Sequence, residues 1–107
     1  MRAALLATLL ALPATAGGAE GGDPVAAILA IEGDAAYGAY LGAECTGCHR
    51  EGAEDIPAID WMTGEDIVFA LESYRSGARE HQVMNMIAAR LGDEEIAALA
   101  AYLGAAD

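Results

Sequence analysis

The chain has 107 residues, with 17 acidic and 5 basic side chains, no lysine and a formal net charge of −12. That length supports one small domain, and the charge excludes a reader of nucleic-acid phosphates, which needs a basic surface. The same charge opposes adhesion to an anionic membrane and suits a basic or neutral docking partner.

Met1-Arg2, an apolar run from Ala3 to Leu12 and the small residues Ala14-Thr15-Ala16 and Gly17-Gly18-Ala19 read as a signal peptide, with cleavage after Ala16 or Ala19. The run is too short to span a bilayer, which takes about twenty apolar residues. The chain is therefore expected in the periplasm, without membrane insertion after signal cleavage. Cleavage after Ala16 leaves 91 of the 107 residues and removes Arg2, taking the formal charge from −12 to −13.

Residues 20–32 form a leader: Glu20-Gly21-Gly22-Asp23-Pro24 is flexible in composition, and Val25 to Ile31 is a short apolar stretch suited to a helical turn or to lying against the core. The domain proper is read as residues 33–107. Asp34 is an N-cap for a helix whose apolar stripe runs through Tyr37, Leu41, Cys45 and Cys48, and Gly38 and Gly42 on the same helix permit close approach of another. That helix ends on Cys45-Thr46-Gly47-Cys48-His49, which contains both cysteines of the chain.

On one helical turn Cys45, Cys48 and His49 stand at i, i+3 and i+4, so two thiols and an imidazole share a face. This is the spacing of covalent haem c attachment: the thiols form thioethers with the porphyrin and the histidine supplies one axial iron ligand. A redox CxxC belongs in a strand–helix context that the flanking sequence lacks. A zinc site would need adjacent Cys48 and His49 as two corners of one tetrahedron, with His81 completing it. A disulfide would close only a tiny loop.

Residues 50–62 read as a loop containing Pro57 and the acidic Glu51, Glu54, Asp55 and Asp60, a solvated surface or a docking one. Thr63-Gly64-Glu65-Asp66 resembles a capping box opening a helix with Ile67, Ala70, Leu71 and Tyr74 on its inner face and Ser76-Gly77 at its end. A polar segment, Ala78 to Gln82, leads into the methionine segment Val83-Met84-Asn85-Met86-Ile87. The last helix starts at Gly92-Asp93-Glu94-Glu95, acidic at its positive end, and buries Ile96, Leu99, Ala100 and Leu103. The whole is all-α.

The sixth iron position has four candidates: Met62, His81, Met84 and Met86. Thioether ligation closes the iron and raises its potential, as an electron carrier requires, whereas an open site binds small molecules. Met84 and Met86 lie 35 and 37 residues after His49, where a loop is able to swing across a haem face. Arg79, and behind it Arg75, are candidates to pair with haem propionates in the bidentate manner of arginine. Trp61 and Tyr74 are candidates to line or cover the haem.

The order of signal peptide, capped helix, CTGCH, proline loop, middle helix, methionine segment and terminal helix resembles a class I cytochrome c of bacterial type, a small all-α fold wrapped around one covalent haem, over about residues 33 to 104. Within that class, Ile56-Pro57-Ala58-Ile59, Glu72 to Arg79 and Val83 to Ala88 are similar to the haem subunit of flavocytochrome c sulfide dehydrogenase. The resemblance implies that Met84, nine residues before Asp93, is the sixth ligand, with Met86 second. It implies that the Pro57 carbonyl receives the other ring N–H of His49. It also implies a redox role beside a flavoprotein partner oxidising sulfide or related sulfur compounds, with no catalysis by this chain alone. The alternatives are a freely diffusing electron carrier of a respiratory or photosynthetic chain and a ligand-binding haem protein.

Overall fold

The computed structural model describes residues 22–104, which form an all-α fold of five helices. They are α1 (Pro24–Leu29), α2 (Ala35–Cys48), α3 (Gly64–Ser76), α4 (Gln82–Ala89) and α5 (Asp93–Leu103). The signal peptide of residues 1–19 lies outside the described residues.

Each helix starts where a side chain can satisfy its free N–H groups. Asp34 Oδ1 accepts from the N–H groups of Ala36 and Tyr37 at 3.0 and 3.2 Å. Thr63 and Asp66 form a reciprocal capping box on α3, a motif whose cap contributes about 1 kcal/mol. Gly92 has no side chain to offer α5, so Glu95 reaches back to the Gly92 N–H at 2.8 Å. Gly77 ends α3 with φ +85°, a conformation that costs glycine little.

The core joins Ile28 of α1, Ile67, Val68 and Leu71 of α3, and Ile96, Ala97, Leu99 and Ala100 of α5. Ile28 is 0 % exposed, so the second half of the leader over residues 20–32 is packed as part of the domain. The Asp23 side chain caps its helix through the Val25 N–H. Burial of a side chain of that size is worth about 1.5–3 kcal/mol.

The buried line of α2 differs from the expected apolar stripe. Gly38 and Gly42 are its buried residues, while Tyr37 and Cys48 are exposed and Leu41 and Cys45 half-buried. The reason is the crossing with α5: a Cβ on Gly38 would collide with the Ala98 carbonyl, and one on Gly42 would stand 3.1 Å from the Tyr102 ring. Because α5 is clasped between α2 and α3, Ala97 and Ala98 are buried along with Ile96, Leu99 and Ala100.

The methionine segment is helical rather than a swinging loop. His81 caps α4, its Nδ1 accepting from the Met84 N–H at 3.4 Å. Residues 50–62 contain no helix, and Asp55 takes φ +62° in a turn there.

Candidate functional site

The CTGCH run occupies the last turn of α2 and its C-cap. Cys45 and Cys48 are both free thiols, the first half-buried and the second exposed. Burial, with Glu44 beside it, holds the Cys45 thiol above its ordinary pKa. Helix geometry offers the two sulfurs from one face, three residues apart.

His49 closes the helix, its backbone N–H donating to the Cys45 carbonyl at 2.8 Å. Its ring Nδ1 is 2.7 Å from the carbonyl oxygen of Pro57. A carbonyl only accepts, so the proton is on Nδ1 and Nε2 keeps its lone pair for a metal. The ring also lines an open cleft with Thr46, Ile59, Asp60, Tyr102 and Leu103.

The loop from Arg50 to Met62 is pinned beside it. Arg50 donates to the Gly47 carbonyl at 2.9 Å, and Trp61 Nε1 donates to the Ala58 carbonyl at 2.8 Å. The Trp61 ring nevertheless stays 67 % exposed, a large apolar surface near the histidine loop. Glu51, Glu54, Asp55 and Asp60 are all exposed.

Met84 and Met86 are two residues apart on α4, which turns their side chains to nearly opposite faces. Met84 is half-buried and packs against the core, as do Leu41, Cys45, Met62, Leu91 and Leu103. Met86 is 61 % exposed. The half-buried set includes one thiol of the motif and two thioethers, Met62 and Met84; with the exposed Cys48 thiol and the His49 imidazole on the same helix end, the chain has the chemistry a haem face needs: apolar packing, two thiols, an imidazole nitrogen and a soft sulfur. The residues present fit the group.

His81 spends Nδ1 as an acceptor in capping α4, which leaves its proton on Nε2 and no lone pair on the free side of the ring. Among the described residues no three His, Cys, Asp or Glu side chains converge as a metal-ion site. His81 thus does not complete a tetrahedron with the CTGCH residues.

The arginines divide. Arg79 is exposed and lies over the Tyr74 and Phe69 rings at 5.3 and 6.0 Å, a cation–π arrangement. Arg75 is committed elsewhere. It bonds Glu72 at 2.9 Å through Nε, the Leu91 carbonyl at 3.2 Å and Asp93 at 2.7 Å, so it ties α3 to the start of α5 and is not available to a propionate.

Asn85 received no role in the sequence, yet it makes three side-chain hydrogen bonds around the start of α4. A polar residue between two methionines on an otherwise apolar segment was the available signal.

Residues 32–107 match the family model described as cytochrome c. No curated protein and no solved structure matches the chain.

Proposed function

Because the chain belongs to the cytochrome c family, whose members transfer electrons through a covalently attached haem c, we propose that Cys45 and Cys48 carry the thioether links and that His49 and Met84 are the axial ligands. When bound, haem c supplies a ferrous/ferric couple that takes up and releases one electron.

The observation that carries the assignment is the 2.7 Å bond from His49 Nδ1 to the Pro57 carbonyl. It fixes the tautomer and the ring plane, makes Nε2 the more basic nitrogen and holds it ready for iron. Met84, like Met62, packs against the same core as Cys45, which supports thioether ligation from a residue on the core that the motif helix also meets. The exposed Trp61 ring is assigned to packing against the bound haem, and the exposed Arg79 to a propionate.

The chain works in the periplasm as the electron-accepting partner of a flavoprotein that oxidises sulfide or related sulfur compounds, passing electrons onward singly. Support comes from the sequence similarity of the proline loop and methionine segment to the haem subunit of such enzymes. A lysine-free chain of charge −12 also lacks the basic collar a mobile carrier would use on an acidic partner. Among the described residues no helix is long and apolar enough to cross a membrane.

Purification of the exported protein from its native periplasm tests this reading. The expected result is haem that resists acid-acetone extraction, together with a flavin absorbance that follows it through gel filtration at high salt. A complex that dissociates in moderate salt, with electron transfer slowing alongside, identifies a freely diffusing carrier. Carbon monoxide binding to the untreated reduced protein as fast as to the Met84→Ala variant identifies a ligand-binding haem protein with an open iron.

A further inference from the structure

The side-chain amide of Asn85 joins three stretches of chain. Its Nδ2 donates to the Tyr74 carbonyl in the last turn of α3 and to the Arg79 carbonyl in the following turn, both at 2.9 Å. Its Oδ1 accepts from the His81 N–H at 2.8 Å. Two carbonyls on one side and an N–H on the other fix which end of the amide is nitrogen.

We propose that Asn85 is the positioning residue for Met84, a latch that holds the first turn of α4 in place so that the neighbouring thioether stays on the iron. The proposal rests on the assignment of Met84 as axial ligand. The Asn85 backbone N–H donates to His81 at 2.8 Å and the His81 ring accepts from Met84, so residues 81, 84 and 85 form one hydrogen-bonded cap. That cap is fastened to the rest of the molecule through the Asn85 amide, because both of its donors leave α4 for carbonyls outside it.

Only an amide suits the position. A carboxylate would present oxygen lone pairs to two carbonyl oxygens and lose both donations. Alanine would leave the Arg79 carbonyl to water and the Tyr74 carbonyl with only the 3.4 Å bond from the Gly77 N–H. Either change frees the start of α4 to move away from the core, and Met84 moves with it.

The holoprotein and its Asn85→Asp, Asn85→Ala, Met84→Ala and Asp34→Ala variants are compared by two readouts. One is the hydroxide concentration at which the oxidised protein loses its iron–thioether absorption band, and the other is the rate of carbon monoxide capture by the reduced protein. Met84→Ala lacks the band. Both Asn85 variants keep it at neutral pH but lose it at about tenfold lower hydroxide concentration, and capture carbon monoxide about tenfold faster, the scale of one or two hydrogen bonds. Asp34→Ala removes a helix cap of similar worth from α2 and leaves both readouts at the parent values. Parent-like Asn85 variants beside a bandless Met84→Ala overturn the latch alone, as does an Asp34→Ala shift of the same size. A band that survives in Met84→Ala overturns the ligand assignment and the latch together.

Discussion

His49 Nδ1 and the Pro57 carbonyl oxygen stand 2.7 Å apart, joining the C-cap of the CTGCH helix to a loop eight residues further on. The acceptor belongs to the backbone, so no side-chain replacement deletes it. What the proline supplies is a fixed φ that limits how far the carbonyl wanders.

Pro57→Gly keeps the acceptor and loosens the loop. The expected cost is about 1 kcal/mol, mostly through the freer unfolded chain. The His49 Nδ1 proton should also exchange with solvent several-fold faster by NMR. Unchanged exchange would mean that the rest of the loop, pinned by Trp61 and Arg50, orients the carbonyl by itself.

Gly38 and Gly47 lie on one helix and should respond oppositely to a methyl group. At Gly38 the new Cβ meets the Ala98 carbonyl, so Gly38→Ala forces α2 and α5 apart and costs about 2–3 kcal/mol. At Gly47 nothing lies within 4 Å, and Gly47→Ala gains helix propensity, up to about 1 kcal/mol. Denaturant unfolding of the two holoproteins measures both signs.

The α2–α5 contact also carries a pH signature. Tyr37 donates its hydroxyl to Glu95 Oε2 at 3.1 Å, and that bond to a carboxylate raises the phenol above its ordinary value of 10.0. The folded state therefore holds the proton more tightly. Its contribution is complete below the unfolded value and is lost as pH rises through the folded one. Stability of the parent should fall more steeply above pH 10 than that of Tyr37→Phe, as read from unfolding midpoints across that range. Parallel curves would show that the bond adds nothing in water.

Short-range chemistry made much of this chain legible before its structure. The Asp34 cap, the Thr63 box and the Gly77 stop are local signals between residues a few positions apart, and the structure has all three. The all-α fold followed from them. What escaped was set by partners distant in sequence. The α2 stripe was misplaced because the α5 backbone, some sixty residues on, lies against glycines and leaves Tyr37 outside. The expected pairing of Arg75 with a propionate fails because its partners Asp93 and the Leu91 carbonyl belong to another element, out of reach of local spacing. The helix at Gln82–Ala89 was missed because its cap is a histidine, an uncommon N-cap, and because Asn85 bonds to carbonyls outside the helix. In the site, the CTGCH run names its own donors. The orientation of the imidazole depends on where a loop carbonyl falls, and spacing alone does not supply that.

The account stands most directly on the sixth iron position. The measurement is the iron–thioether absorption band of the oxidised holoprotein, compared across Met84→Ala, Met86→Ala and Met62→Ala. Met84 and Met62 are both half-buried on the core that also packs Cys45, Met62 from the end of the proline loop and Met84 from α4, while Met86 is turned outward on the opposite side of α4. The band should vanish in Met84→Ala, with a fall in reduction potential, and persist in the other two. Loss in Met86→Ala alone, or persistence in all three, would contradict the assignment of Met84.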